Sequence, residues 1–187
     1  MAKNKNVVIC KSERLYLTPL DEVHAPAVLK WYNDPELFGH LRDIRYVSHL
    51  DEQVQWIRSV KQDPFQKIYA IYSLQDDVLI GDIGIMHINW QDLSAEVGLI
   101  IGERAYQRKG LGTEATWLAC KFAFEQLQLH NLIATINLDN IASIHLHEKV
   151  GFKKMGVRRQ ARRTADQVID LLYYDLLPEE LIKPDLF

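Results

Sequence analysis

Apolar positions alternate from residue 13 to 20 (ERLYLTPL), with Leu15, Leu17 and Leu20 spaced as on a half-buried first strand. Asp21 then stands where a helix N-cap belongs. EVHAPAVLKWYN has a helical pattern that must stop at or before Asp34-Pro35, because a residue preceding proline is pushed out of helical backbone. A second helix starts at Ser48, carries Val54, Ile57 and Val60 on one side, and ends at Asp63-Pro64. The period then shortens to two. Residues 66–74, 78–90 and 94–102 read as strands joined by the short turns QDD and Gln91-Asp92, an antiparallel meander. Beyond a polar loop, 111–128 is helical, 132–138 is a strand, and 141–150 is a short helix with Gly151 as its left-handed C-cap. Residues 152–159 and 167–176 close the chain as a hairpin. The order β α α β β β α β α β β predicts an α/β fold (α+β, mixed sheet) with helices on the sheet faces.

No repeat, low-complexity segment or linker interrupts this order. One domain is therefore expected over 13–176, with 1–12 and 177–187 as terminal extensions. The 187 residues, 48% of them hydrophobic, suffice for a sizeable core. A formal net charge of −3 gives no basic field of the kind nucleic acid requires. Cys10 and Cys120 form no C-x-x-C or Cys/His cluster, which sets aside a disulfide framework or a metal site and suits a reducing cytoplasm. The apolar patch at Val7 to Cys10 is too short for a signal peptide, and no run approaches a membrane span, so a cytoplasmic protein is expected.

The stretch YQRKGLGTEA raises the question of chemistry. Gly110 and Gly112 weaken a helix start, yet they clear Cβ atoms from backbone N–H groups to which the helix adds its positive dipole end. A glycine-rich turn before a helix would look the same. Gly110, Gly112 and Ala115 also satisfy G-x-G-x-x-(G/A), and Asp139 could serve as the ribose-binding acid of a dinucleotide fold, making an NAD(P)-dependent oxidoreductase the rival reading. Three features oppose it. The polar ERAYQRK separates glycines from strand, the preceding strands are hairpins, and too little chain follows for a doubly wound sheet.

Gln107-Arg108-Lys109-Gly110-Leu111-Gly112 resembles the (Q/R)-x-x-G-x-(G/A) acetyl-CoA loop of the Gcn5-related N-acetyltransferases. SAEVGLIIGERAYQRKGLGTEA with NLDNIASIHLHEKVGF, and the earlier ERLYLTPL and WYNDPEL, resemble the branch holding the ribosomal-protein N-terminal acetyltransferases. The likeness spans nearly the whole chain.

The resemblance implies that Ile100 and Gly102 offer backbone groups to the pantetheine arm, and that the amides of Arg108 to Thr113 hold the pyrophosphate, through Arg108, Lys109, Gly110, Leu111, Gly112 and Thr113. It also implies that Asn140 contacts the pantetheine, and that the position seven later, often Tyr, protonates the departing thiolate. Here that position is His147. Asn140, Ser143 and His147 share one helical arc, with Ala142 and Leu146 turned toward the core, and either His147 or Ser143 can donate a proton, as can water. Asn140 also suits the helix N-cap. A neutral amine must attack, so a carboxylate base is needed; Glu96 resembles the strand carboxylate of the family, and Asp82 stands second. Dipole compensation accounts for Glu114. Cys120, mid-helix among apolar residues, is read as packing, which favours direct transfer in a ternary complex over a cysteine intermediate.

Arg158 to Arg163 (RRQARR) is the densest basic run, read as a solvated tip or else as a contact for the cofactor's 3′-phosphate or an anionic surface. Trp31, Tyr32, Phe38, Tyr46 and Trp56 lie in the region that walls the acceptor site in this family. The acceptor could be a protein N-terminus, a polyamine, an aminoglycoside or an amino sugar. A catalytically silent acyl-CoA-binding module and a homodimer both stay open.

Overall fold

The computed structural model describes residues 7–38, 49–163 and 167–185. The strands are β1 (Cys10–Lys11), β2 (Leu15–Pro19), β3 (Lys67–Ser73), β4 (Val78–Asn89), β5 (Ser94–Ile101), β6 (Asn131–Asn137), β7 (Lys153–Arg163) and β8 (Val168–Leu176). They form one 8-stranded sheet in the order β1-β2-β3-β4-β5-β6-β8-β7. All neighbours pair antiparallel except β5 and β6, which run parallel. A doubly wound parallel sheet, and with it the dinucleotide reading, is excluded.

Helices α1 (Ala25–Tyr32), α2 (Pro35–Phe38) and α3 (Leu50–Gln62) precede the meander; α4 (Leu111–Glu125) and α5 (Ile141–Val150) follow it. Alternation along the strands sorts side chains into two cores. Ile83, Ile85, Val97, Leu132, Ala134 and Ile136 pack with Leu118 and Ala119 of α4. Ile68, Ala70 and Ile100 pack with Val28 and Trp31 of α1 and Ile57 of α3. Each fully buried Leu, Ile or Val contributes roughly 1.5–3 kcal/mol.

Local chemistry explains the element ends. The Asp21 carboxylate accepts from the Glu22 N–H at 2.7 Å, while His24 Nδ1 accepts from the Asp21 N–H at 2.8 Å, a reciprocal cap in which His replaces the usual Glu. Asn140 caps α5 by accepting from the Ser143 N–H at 3.1 Å. Gly151 ends that helix at φ 109°, where a Cβ would stand 2.1 Å from the Glu180 carbonyl oxygen. The short β1 and one-turn α2 were not expected, and β7 reaches Arg163 across a bulge at Gln160, whose φ is 52°. Both tails join the packing: β1 precedes Glu13, and the Ile182 N–H donates to the Val150 carbonyl at 2.9 Å. Among the described residues no helix is long and apolar enough to cross a membrane.

Candidate active site

The parallel pair β5–β6 is joined only at Ser94↔Asn131, Ala95↔Leu132 and Glu96↔Ile133. Past those rows each strand keeps its outer partner and the two diverge, leaving a split in the sheet. The Gly102 N–H donates to the Ile80 carbonyl at 2.9 Å, which fixes the phase of the β4–β5 ladder. Hydrogen-bonded rows alternate in an antiparallel pair, so Ile100 faces Asp82 on β4, and Leu99 and Ile101 turn their N–H and C=O toward the split. The expectation for Ile100 and Gly102 shifts by one residue: β4 takes the Gly102 N–H, and the register turns the Ile100 backbone groups toward β4 as well. Gly102 has a packing role, since a Cβ there would lie 2.1 Å from the Trp31 ring.

At the open end of the split lies the glycine loop. Gly110 takes φ 77° as the N-cap of α4, and Arg108 also has positive φ, at 58°. The first helical bond is Glu114 N–H to the Gly110 carbonyl at 3.1 Å, and the amides from Arg108 to Thr113 find no partner among the described residues. A Cβ on Gly112 would meet Leu146 Cδ1 at 2.9 Å and the Leu99 and Ile101 side chains at 3.7 Å, so the loop sits tight between α5 and the free half of β5. Unbonded amides at a helix N-terminus form a ready anion cradle. Gln107 does not reach outward: its Nε2 donates to the Ile101 carbonyl at 2.8 Å, tying loop to strand.

Glu114 does more than offset a dipole. It is fully buried and accepts from Arg14 Nε at 2.6 Å, the Arg14 N–H at 3.0 Å and Ser12 Oγ at 2.7 Å. Arg14 Nη1 also donates to the Lys109 carbonyl at 3.1 Å. The β1–β2 hairpin thereby clamps the loop through an ion pair whose carboxylate is buried and whose guanidinium is partly exposed.

On α5 the polar arc turns inward. His147 is buried with its ring edge-on to Phe152, while Ala142, expected in the core, is exposed; Leu146 is half-buried over Gly112. His147 Nδ1 lies 2.8 Å from the Ser143 carbonyl and 3.3 Å from Ser143 Oγ, and its Nε2 is enclosed without a partner. A carbonyl accepts only, so Nδ1 carries the proton and Nε2 the lone pair. Burial pushes the imidazolium down to about 4. A neutral ring whose one N–H is bonded to backbone is a poor proton donor to sulfur, which removes the physical ground for His147 as the acid. Ser143, half-buried beside it, retains a hydroxyl.

The opposite sheet face holds the carboxylates. Glu96 is buried, with Oε2 3.1 Å from Nδ1 of His87, a residue bulged outward at φ 52°. Asp82 is also buried; Oδ1 accepts from the Tyr32 hydroxyl at 3.1 Å and Oδ2 is enclosed without a partner. Desolvation raises the Asp82 carboxyl to about 7, against which the Tyr32 hydrogen bond works. Tyr32 in turn packs on Trp56, ring centroids 5.7 Å apart. Trp31 is fully buried, its Nε1 donating to Glu103 at 2.9 Å. The Phe38 side chain, Tyr46 and Ser48 lie outside the described residues.

A family model for the acetyltransferase (GNAT) domain matches residues 14–153. The chain belongs to the GNAT acetyltransferases. It is similar to the protein named "Probable N-acetyltransferase YjcK" of Bacillus subtilis (strain 168), 34% identical over 157 residues, 80% of this chain and 86% of that protein. Among solved structures it superposes on the spermidine N-acetyltransferase from Vibrio cholerae in complex with CoA and spermine, with TM-score 0.82, 20% identity and coverage of 90% of this chain and 98% of the other. The ribosomal L7/L12 acetyltransferase RimL in complex with coenzyme A gives TM-score 0.81 at 19% identity, covering 91% and 98%. The mixed sheet is the GNAT fold, and the protein is an N-acetyltransferase.

In this GNAT chain the glycine loop meets α5 at Gly112 and Leu146, while Asn140, Ser143 and His147 bond within α5 itself, and Glu96 and Asp82 lie on the other face of the sheet. Sequence reasoning missed Arg14 and Gln53, and did not foresee the burial of Arg162. Gln53 on α3 is fully buried with both amide atoms unbonded. Arg162, in a run read as a solvated tip or else a contact for the cofactor's 3′-phosphate or an anionic surface, is 9% exposed, with Nη1 3.4 Å from Asn137 Oδ1 and Nε enclosed and unbonded. No local pattern reveals that burial, because it depends on the bulge at Gln160. Cys120 is core, its thiol pushed far up by burial, and burial pushes Cys10 up to about 12, so neither suits a nucleophile.

Proposed function

We propose that this GNAT protein moves the acetyl group of acetyl-CoA to a primary amine by direct attack in a ternary complex. The observation carrying the proposal is the pairing of an open β5–β6 split with unbonded amides, Arg108 to Thr113, at its mouth. The amides would hold the pyrophosphate, with Gly110 and Gly112 giving it access and Arg14 fastening the loop beneath. Leu99, and the Ile101 N–H, would offer their backbone groups to the pantetheine as a strand neighbour does, the Ile101 carbonyl already accepting from Gln107, and Asn140 would border it from α5. The amine nitrogen attacks the thioester carbon from the α1–α3 face; the C–N bond forms, the C–S bond breaks with its electron pair on sulfur, and the nitrogen sheds its extra proton to a carboxylate. Water or Ser143 supplies the thiolate proton. No metal step is required.

Of the related solved structures, the spermidine N-acetyltransferase holds CoA with spermine and RimL, named for ribosomal L7/L12, holds coenzyme A, so acceptors from small amines to protein N-termini are in keeping with the proposal. We place the protein in the cytoplasm, in keeping with two unpaired cysteines. Thermal shift with acetyl-CoA, CoA and NAD(P)H tests the cofactor: saturation at 100 times Kd adds roughly 2.7 kcal/mol. Stabilisation by the CoA species alone is expected, and stabilisation by NAD(P)H instead refutes the proposal. Amine-dependent CoA release then separates an enzyme from a silent binder.

A further inference from the structure

Two buried ionisable side chains of opposite kind lie on one face of the sheet on either side of the split, Asp82 one strand back on β4 and Arg162 on β7 reaching Asn137 of β6. Asp82 pairs in register with Ile100 on β4–β5, and both point to the α1–α3 side, since Ile100 packs with Trp31 and Ile57 while the neighbouring Ile83 packs with α4. Asn137 lies on the same side of β6, because Ile136 points into the α4 core. Arg162, in register with Ile169 beside Leu171↔Asn137, extends onto Asn137. The register Glu96↔Ile133 carried four residues on sets Ile100 level with Asn137, so the sheet row reads Asp82, Ile100, split, Asn137 with Arg162. Asp82 Oδ2 and Arg162 Nε are each enclosed and unbonded, and Arg162 meets no carboxylate among the described residues. An unpaired buried charge is strongly unfavourable, and a residue kept in that state at the edge of a substrate opening points to a ligand that completes it.

We propose that the acceptor is a primary amine that also carries a carboxylate, its amine received by Asp82 on one bank of the split and its carboxylate by the Arg162 fork on the other. The proposal rests on the acetyl-transfer reading above. Asp82 takes one proton from the ammonium, the neutral nitrogen attacks the thioester carbon, its second proton passes through water or Ser143 to the sulfur as the C–S bond breaks, and Arg162 holds the far end without touching the reacting atoms. Two strand spacings of about 4.8 Å separate β4 from β6 before the strands diverge. The two ligand charges therefore stand well apart, as in a dipeptide or an N-terminal acidic residue, and not on one carbon. A polyamine would bring its second ammonium against a guanidinium.

The test measures CoA release with dipeptides, their C-terminal amides and spermidine, on the wild-type chain and on Arg162→Met and Asn137→Asp. The second variant seals the guanidinium with an internal carboxylate, so the proposal stays testable if the first fails to fold. The wild type should prefer the free carboxylate over its amide by roughly 30-fold in kcat/KM, the scale of a charge-assisted hydrogen bond. Either variant should erase that preference through KM, with kcat and CoA thermal stabilisation retained. Equal use of acid and amide, preference for spermidine, or a preference that survives both variants overturns the proposal. CoA stabilisation without turnover of any carboxylate-bearing amine overturns it alone, whereas absence of CoA stabilisation overturns the acetyl-transfer reading as well.

Discussion

Replacing Asp82 by Asn should stabilise the fold at alkaline pH and leave no such advantage in acid. A carboxyl moved from 3.8 in the open chain to about 7 in the folded one binds its proton more tightly when folded. Its contribution to stability is fully present below 3.8 and is lost as pH rises through 7. At about 1.4 kcal/mol per pKa unit, the loss is about 4 kcal/mol once Asp82 is fully ionised. Asp82→Asn keeps the acceptor for the Tyr32 hydroxyl and removes the charge. Unsatisfied amide protons in the variant cost roughly 1–3 kcal/mol, but that offset does not depend on pH. The stability difference between variant and wild type should therefore climb by about 4 kcal/mol between about pH 4 and pH 9, on the order of 10 °C in Tm at roughly 2–4 °C per kcal/mol. Urea unfolding across that range, followed by tryptophan fluorescence, reads it directly. Two stability curves that stay parallel within about 0.5 kcal/mol would refute the burial argument. A variant that gains stability and loses acetyl transfer would mark Asp82 as a group retained for chemistry at the expense of the fold.

Three further perturbations separate the remaining parts. Arg14→Met leaves Glu114 buried without its cation and should destabilise by roughly 3 kcal/mol in urea, with weaker CoA binding because the Lys109 carbonyl loses its donor; a loss under about 1 kcal/mol contradicts the clamp. Gly112→Glu should keep the fold, since the one tight contact of its Cβ is the flexible tip of Leu146 and those to Leu99 and Ile101 are at ordinary van der Waals distance, yet lose thermal stabilisation by CoA; a retained shift sinks the loop assignment. His147→Phe removes a group whose folded pKa is lowered from 6.5 to about 4, so the stability that the wild type holds above 6.5 and loses as pH falls toward 4, roughly 3 kcal/mol, should no longer be lost. An unchanged acid-side slope would show that His147 is not the neutral buried ring described.

What the chain disclosed in advance follows the range of the interactions. Helix α5 was legible to the residue because its cap Asn140 and its stop Gly151 are local signals. The meander was legible because hairpin strands and turns adjoin in sequence. The phase of the β4–β5 ladder was not: a shift of one residue exchanges Ile100 and Gly102 for Leu99 and Ile101, and it is set by Ile80 across the sheet. Glu114 read as a helix-end acid because its partner Arg14 is 100 residues away. His147 was legible as a helix position but not in its protonation, since the bond from Nδ1 to the Ser143 carbonyl follows from helix geometry but the burial that keeps the ring neutral comes from packing with Phe152.

The three-row junction between β5 and β6 makes the molecule two unequal sheets joined by a short seam, β1 to β5 on one side and β6 to β8 on the other. A linear ligand lying in the split takes the place of the absent ladder, so its binding knits two regions that can otherwise loosen separately. Amides of β6, β7 and β8 should then exchange with solvent faster than those of β2 to β4 in the empty protein and at matching rates once the seam is filled. In mechanical terms a ligand held there would be the ninth strand.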